Sequence, residues 1–174
     1  EYDKLLKESI NNNWHHSSVS TIDRVVQKKI GIIGLGRIGT AFALRAKAFG
    51  FDISFYDPYI PDGQEKALNI NRCNKLEELM STVDYLSIHC LANNETKNLI
   101  DASMLKICKP NLVIVNTARG AIVDLDSVYD ALKSNKIRAI GLDVLPTEPA
   151  DKKHPLIDAW LNEKWAQGKI VLTP

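Results

Sequence analysis

The sequence predicts an α/β fold built on a doubly wound parallel sheet. Short apolar runs that are typical of strands alternate along the chain with helical patterns. Some runs, such as residues 112–115, are apolar without interruption, which fits strands buried on both faces of a sheet. A glycine-rich turn joins the first run to the first helical pattern. This alternation favours right-handed crossovers, with helices on both faces of the sheet.

The glycine-rich turn lies within residues 29–39, before an alanine-rich helical pattern at residues 40–49. Gly34 can make a sharp turn, Gly36 lets the backbone approach a pyrophosphate, and Gly39 lets the helix pack closely on the strand. The start of the helix would present free N–H groups to the phosphates. Three glycines at this spacing also occur in ordinary turns, so the surrounding sequence has to decide.

The deciding feature is an acidic residue at the end of the next strand. Residues 51–56 alternate and are rich in strand formers, and Asp57 follows them, 18 residues after Gly39. A carboxylate here would accept both ribose hydroxyls of an adenosine and repel a 2′-phosphate, which selects NAD over NADP. The competing interpretation is that Asp57 only forms a turn before Pro58.

The composition is that of an ordinary soluble globular protein, with 45% hydrophobic and 25% charged residues. The 174 residues are enough for one domain with a sizeable core. The 22 basic and 21 acidic residues are well mixed, so we expect neither nucleic acid nor an anionic membrane as a partner. No apolar run approaches the ~20 residues of a membrane span. No signal peptide opens the chain, which favours a cytoplasmic or nuclear location.

Neither a disulfide framework nor a metal site is expected. The cysteines are odd in number and lack Cys-x-x-Cys spacing, so we interpret them as buried free thiols: Cys73, Cys90 and Cys108. Two of the four histidines are adjacent and the other two stand alone, which is not a spacing typical of metal ligands.

The remaining elements follow from periodicity. Residues 1–13 carry a helical stripe of apolar side chains, and residues 14–27 are typical of a polar connecting loop. Beyond Asp57, we expect helical segments at residues 64–68, 75–80, 101–106 and 125–132, the last with Asp124 as its N-cap. Further strands are expected at residues 85–89, 112–115, 137–143 and 170–172.

Ligands of such sheets bind beyond the C-terminal ends of the strands, so the residues at those ends are the candidate site. They are Gly34 to Gly39, Asp57, His89, residues 116–120, Asp143 and residues 173–174. We expect one crevice to collect them.

Arg119 follows a strongly apolar strand and lies in a polar turn. A guanidinium group there can hold a substrate carboxylate in two parallel hydrogen bonds and polarise the neighbouring carbonyl group. The competing interpretation is a salt bridge to a nearby acidic residue.

Two residues are candidates for proton transfer. Glu148 lies between prolines in residues 146–149, where a carboxylate can orient an imidazole and raise its pKa. Taken alone, it would be an ordinary loop glutamate. His89 has the right chemistry for a proton donor to a ketone. At the end of a strand, however, a histidine more often caps the strand or lines a cofactor site, and we prefer that interpretation.

Seven ordered motifs carry a resemblance to one family. They are G-L-G-R-I-G at 34–39, F-Y-D-P-Y at 55–59, H-C-L to E-T at 89–96, N-T-A-R-G at 116–120, G-L-D-V at 141–144, E-P at 148–149 and T-P at 173–174. Over residues 29–174 the chain resembles the NAD-binding domain, a Rossmann fold, of the D-isomer-specific 2-hydroxyacid dehydrogenases. Residues 45–59 are most similar to those of the C-terminal binding protein branch, whose members are NADH-sensing transcriptional corepressors.

The resemblance implies a role for each matching position. The backbone at Arg37 and Ile38 would hold the pyrophosphate, and Asp57 the adenosine ribose. The adenine side would be lined by His89, Cys90, Leu91 and Thr96. The nicotinamide would be flanked by Thr117, Ala118, Arg119 and Asp143, the last near its carboxamide. Arg119 would also bind the 2-oxo acid, and Glu148 would be the partner of a catalytic histidine.

In the family, that histidine directly follows the Thr-Pro pair, and a substrate domain accompanies the cofactor domain. The resemblance therefore implies an interdomain helix and linker at residues 1–28 and a dinucleotide-binding domain at residues 29–174, without its substrate domain. We expect this chain alone not to turn over substrate.

The expected parent is an NAD-dependent oxidoreductase that acts on the CH–OH group of D-2-hydroxy acids, and we expect it to be a homodimer. The alternative is an NADH-sensing corepressor in which cofactor occupancy drives assembly. A nucleotide-binding domain of unrelated function would leave Arg119 and Glu148 without a role.

Overall fold

The structure is a computed structural model that describes residues 10–11 and 24–173. In this part of the chain, seven parallel strands form one sheet in the order β3-β2-β1-β4-β5-β6-β7. The strands are β1 (Lys29–Ile33), β2 (Asp52–Tyr56), β3 (Asn71–Arg72), β4 (Tyr85–Ile88), β5 (Leu112–Asn116), β6 (Ile137–Leu142) and β7 (Ile170–Leu172). The α-helices are α1 (Arg37–Ala48), α2 (Gln64–Leu68), α3 (Leu76–Thr82), α4 (Ala102–Ile107), α5 (Leu125–Lys133) and α6 (Pro155–Asn162). Short 3₁₀ helices occupy Gly120–Ile122 and Lys164–Ala166.

The strand order reverses at β1, which pairs with β2 on one side and with β4 on the other. The chain therefore runs outward from β1 to β3 and then returns to begin the second half of the sheet at β4. Such a reversal leaves a crevice beyond the C-terminal ends of the two central strands. The glycine turn after β1 lies at this crevice.

Two clusters of buried apolar side chains lie on opposite faces of the sheet at β1. Ile32 packs in the cluster that contains Ala43 and Ala46 of α1, whereas Ile33 packs in the cluster that contains Leu79 of α3. Successive residues of a strand point to opposite faces, so these two isoleucines anchor helices on opposite sides of β1. Each fully buried aliphatic side chain stabilises the fold by roughly 1.5–3 kcal/mol.

The predicted fold class is confirmed, and the strands expected from apolar runs are present. Their bounds shift by a residue: β4 ends at Ile88 and β6 at Leu142, so His89 and Asp143 lie just beyond their strands. The predicted helix at residues 1–13 and loop at residues 14–27 lie mostly outside the described residues.

Two elements were not expected from the sequence. The two residues of β3 are polar and carry no strand signal, because an edge strand that pairs only with β2 needs little burial. The start of α6 combines Pro155 with His154, whose Nδ1 accepts a hydrogen bond from Leu156 N–H at 3.2 Å. Histidine is an uncommon capping residue, so the sequence signal for the start of this helix is weak.

Two smaller predictions need correction. Asp124 occupies the N-cap position of α5, but its carboxylate accepts a hydrogen bond from the Ser127 hydroxyl and caps no backbone N–H. Cys73 and Cys108 are buried free thiols as predicted, whereas Cys90 is only half-buried because it faces a cavity.

Candidate cofactor site

A cavity of about 390 Å³ opens beyond the C-terminal ends of β1, β2 and β4, at the point where the strand order reverses. Its walls come from the three loops that follow those strands. Seven of the residues predicted to contact a dinucleotide line it: Gly34, Gly36, Asp57, His89, Cys90, Leu91 and Thr96.

The three glycines of the turn differ in what surrounds them. Gly34 has a φ of +89°, and a Cβ on it would lie 2.6 Å from the Cys90 nitrogen. A Cβ on Gly39 would lie 2.1 Å from the Gly34 carbonyl oxygen, so no side chain fits between helix and strand. Apart from its own chain neighbours, Gly36 has no described atom within 4 Å of its Cβ position. Packing therefore requires glycine at residues 34 and 39. The open space beside Gly36 fits the diphosphate of a dinucleotide.

The N-terminus of α1 borders the same turn. The helix begins at Arg37, directly after Gly36, and no described side chain caps it. Its first turn contains no acidic residue. The positive end of the helix dipole is thus open to an anion at Arg37 and Ile38. Both residues are exposed, and neither is part of the cavity lining.

Asp57 connects two loops of the cavity wall. Its Oδ2 accepts a hydrogen bond from Leu35 N–H at 2.8 Å, and its Oδ1 accepts one from Tyr59 N–H at 3.0 Å. The second contact forms a turn after β2, which is the role for Asp57 that the sequence offered as the alternative to ribose binding. A carboxylate has about four acceptor positions, so two backbone donors leave capacity for ribose hydroxyls.

His89 and Cys90 form the wall that follows β4. The His89 ring lies 5.2 Å from the Phe42 ring, and its Nε2 is 2.9 Å from the Ser87 hydroxyl. Burial lowers the pKa of His89, so the imidazole is neutral at pH 7. Burial, assisted by the charge of Asp57, raises the pKa of the Cys90 thiol to about 11, which keeps it protonated. Both residues therefore present uncharged surfaces to the cavity.

A second group of polar residues lies at the end of β5, the neighbour of β4. The buried side chain of Asn116 shapes the turn: its Nδ2 donates to the Arg119 carbonyl at 2.9 Å, and its Oδ1 accepts from Ala118 N–H at 3.0 Å. Arg119 is exposed and donates from Nη1 to the Ala118 carbonyl at 2.6 Å. No carboxylate among the described residues forms an ion pair with it, so nothing there supports the salt-bridge interpretation.

The loops that carry Arg119 and Glu148 are in direct contact. A Cβ on Gly120 would lie 1.9 Å from the Leu145 carbonyl carbon, so only glycine permits this approach. Glu148 Oε1 accepts a hydrogen bond from Leu145 N–H at 3.0 Å, which holds the glutamate against the same point. The sequence interpretation gave Gly120 no role of its own. Its position directly after Arg119 was the signal that could have indicated one.

Asp143 joins the ends of three strands. Its N–H donates to the Asn116 carbonyl at 3.0 Å, and its Oδ1 accepts a hydrogen bond from the Thr173 hydroxyl at 2.6 Å. Four residues that were predicted to contact the cofactor do not line the cavity: Thr117, Ala118, Arg119 and Asp143. Because β5 pairs with β4, they extend the same edge of the sheet.

The described part of the chain lacks two further kinds of feature. No group of three or more His, Cys, Asp or Glu side chains there is arranged to hold a metal ion. Among the described helices, none has the length and apolar character that crossing a membrane requires.

A parallel sheet with a glycine turn and an acidic strand end at its reversal point defines a dinucleotide-binding domain. The chain belongs to the family described as D-isomer specific 2-hydroxyacid dehydrogenase, NAD binding domain, whose model matches residues 1–174. The family predicted from the seven motifs is thus confirmed, and with it NAD as the cofactor.

Two curated relatives illustrate the range of the family. The D-3-phosphoglycerate dehydrogenase of Methanocaldococcus jannaschii is 41% identical over 130 residues, which are 75% of this chain and 25% of the relative. C-terminal-binding protein 1 of Caenorhabditis elegans is 42% identical over 115 residues, which are 66% of this chain and 16% of the relative. The matched segments therefore cover a quarter or less of the length of each of these two relatives.

Solved structures show the same fold. The TT0316 protein from Thermus thermophilus superposes with a TM-score of 0.80 at 30% identity, covering 99% of this chain and 51% of that protein. The apo form of D-mandelate dehydrogenase from Rhodotorula graminis superposes with a TM-score of 0.76 at 32% identity, covering 97% of this chain and 44% of that protein. The chain thus spans about half the length of these structures.

Proposed function

We propose that this chain is the cofactor-binding domain of an NAD-dependent oxidoreductase that acts on the CH–OH group of D-2-hydroxy acids. The observation that carries the proposal is the position of Asp57. Its carboxylate lies in the wall of the cavity at the strand reversal, tied to the glycine turn through Leu35. An acidic residue at this point favours NAD, whose adenosine ribose has free hydroxyls, over NADP, which carries a 2′-phosphate there.

The cofactor would lie along the C-terminal edge of the sheet. The glycine turn and the exposed start of α1 at Arg37 and Ile38 would hold the diphosphate, and Asp57 the adenosine ribose. The adenine would lie against the wall formed by His89, Cys90, Leu91 and Thr96. The nicotinamide would lie beside Thr117, Ala118 and Asp143. When bound in its reduced form, NADH would supply the hydride for reduction at C2 of a 2-oxo acid and would itself be oxidised to NAD+.

The substrate would be bound from the loops after β5 and β6. Arg119 is exposed and has no carboxylate partner among the described residues, so its guanidinium is available to a 2-oxo acid. It would grip the carboxylate in parallel hydrogen bonds and stabilise negative charge that develops on the carbonyl oxygen. Glu148 is held against the neighbouring loop. It would orient the imidazole of the catalytic histidine that the family resemblance implies, and that imidazole would donate the proton.

The test is cofactor binding followed by turnover. In titration calorimetry, we expect NADH to bind this chain at least about tenfold more tightly than NADPH, because Asp57 would repel the 2′-phosphate. The whole protein should oxidise NADH in the presence of a panel of 2-oxo acids. Failure of the chain to bind either dinucleotide would overturn the proposal.

The second candidate is an NADH-sensing corepressor, favoured by the 42% identity with C-terminal-binding protein 1. Cofactor binding would then drive assembly with a partner rather than turnover. NADH-dependent change in molar mass by light scattering, without consumption of NADH on any 2-oxo acid, would favour this candidate.

We also propose a homodimer in the cytoplasm, or in the nucleus if the second candidate holds, with neither nucleic acid nor membrane as a direct partner. The near-neutral mixed charge of the chain supports the last point. Light scattering of the whole protein tests the dimer.

A further inference from the structure

The cofactor cavity has a side-chain contact across its mouth that none of the roles above uses. The Tyr59 hydroxyl donates a hydrogen bond to the Glu95 carboxylate. Tyr59 belongs to the loop after β2 and Glu95 to the loop after β4, and both residues line the cavity. Tyr59 is 73% exposed, so burial does not hold this large ring in place. The described partner of its hydroxyl group is Glu95, which is also exposed.

Each end of the contact is held by its own loop. The backbone N–H of Tyr59 donates to Asp57 Oδ1 at 3.0 Å, which ties Tyr59 to the residue proposed to bind the ribose. On the other side, Asn93 Oδ1 accepts hydrogen bonds from Glu95 N–H at 2.9 Å and from Thr96 N–H at 3.0 Å. The two side chains therefore meet from two well-supported turns and not from free loops.

We propose that Tyr59 and Glu95 form a clasp that closes the adenosine end of the cavity and slows release of the dinucleotide. The proposal rests on the proposed function, because it requires the adenosine half of NAD to occupy this cavity. A hydrogen bond to an ionised carboxylate is among the stronger ones, and this one joins the two loops that flank the adenosine. Departure of the ligand then requires the loops to separate.

The test is the dissociation rate of NADH, followed by stopped-flow fluorescence after mixing the loaded chain with excess NAD. Tyr59→Phe and Glu95→Gln each alter the same hydrogen bond, the first by removing its donor and the second by removing the charge of its acceptor, and both retain the size of the side chain. We expect each variant to release NADH about three- to tenfold faster than the wild type. The double variant should be no faster than the faster single variant, because both changes act on one contact.

Two matched variants serve as controls. Tyr129→Phe removes a hydroxyl that accepts a hydrogen bond from Lys133 Nζ at 3.0 Å, outside the cavity. Glu77→Gln removes an exposed carboxylate of α3, also outside the cavity. Neither control should change the release rate. The clasp variants should keep the wild-type affinity for nicotinamide mononucleotide, which has no adenosine, and the wild-type unfolding temperature without cofactor.

The outcomes separate the clasp from the function on which it rests. If NADH binds and all clasp variants release it at the wild-type rate, the clasp is overturned and the proposed function stands. Independent, multiplying effects of the two substitutions also overturn the clasp, since the residues would then act separately. If the wild type binds no NADH, both proposals fail.

Discussion

Asp57 Oδ2 accepts a hydrogen bond from the backbone N–H of Leu35 at 2.8 Å, which joins the end of β2 to the glycine turn after β1. The residue proposed to bind the adenosine ribose thus also supports the turn proposed to bind the diphosphate. Hydrogen bonds to a charged acceptor contribute about 1.5–3 kcal/mol, so this contact is a substantial part of the turn's rigidity. The two halves of the cofactor site are coupled through one carboxylate.

Asp57→Asn should reduce both NADH affinity and cofactor selectivity. The amide keeps one acceptor oxygen but loses the charge that repels a 2′-phosphate. We expect NADH affinity to fall by about tenfold or more and the NADH-to-NADPH affinity ratio to approach one. Titration calorimetry with both dinucleotides measures this. Asp62→Asn, at an exposed acid on the same loop, is the control. An unchanged NADH-to-NADPH affinity ratio in Asp57→Asn would contradict the proposed role of Asp57 in binding the adenosine ribose.

Gly36→Ala and Gly39→Ala should affect different properties. The new methyl group at residue 36 meets no protein atom within 4 Å, so the free energy of unfolding should change by less than about 0.5 kcal/mol. NADH affinity should nevertheless fall, because the methyl group occupies the space left for the diphosphate. At residue 39 the methyl group would lie 2.1 Å from the Gly34 oxygen, so the fold itself should lose stability.

Urea unfolding and NADH titration of both glycine variants distinguish these effects. Equal loss of stability in the two variants would contradict the assignment of open space at Gly36. Wild-type NADH affinity in Gly36→Ala would place the diphosphate elsewhere.

Arg119→Ala in the whole protein should strongly reduce kcat/KM for the 2-oxo acid, because the substrate loses its bidentate partner. Arg119→Lys should recover only part of the loss, since an ammonium group retains the charge without the planar fork. Steady-state kinetics on both variants measure this. A decrease of less than about tenfold in Arg119→Ala, or ~1.4 kcal/mol, would reduce Arg119 to a structural residue.

The free energy of unfolding should contain a pH-dependent contribution from His89. Burial lowers the pKa of the folded imidazole, while an unfolded histidine titrates near its ordinary value of about 6.5. As pH falls through about 6.5, the unfolded chain takes up a proton that the folded chain resists, so stability decreases. Urea unfolding at about pH 7.5 and about pH 5.5, on either side of that value, should show a smaller decrease in His89→Gln than in the wild type. Equal decreases would contradict the effect of burial.

The features predicted well from the sequence are those whose signals are local. The strand before Gly34, the helix that begins at Arg37 and the acidic end of β2 each lie within a few residues of the pattern that indicates them. Apolar runs such as β5 are readily recognised as strands, although the expected burial on both faces is wrong for this strand. Leu112 and Ile114 are buried on one face, whereas Val115 on the other face is 39% exposed. The polar edge strand β3 had no such signal, since little of it needs burial.

The sequence by itself determined the fold class, the family and the position of the glycine turn that is proposed to bind the dinucleotide, because periodicity and ordered motifs are properties of neighbouring residues. Only the tertiary structure decided which glycines the packing requires, and that Gly120 brings the loops of Arg119 and Glu148 together. It alone joined Tyr59 to Glu95, 36 positions apart. The physical reason is the strand order, which places the ends of β2, β1 and β4 side by side although they are distant in the chain.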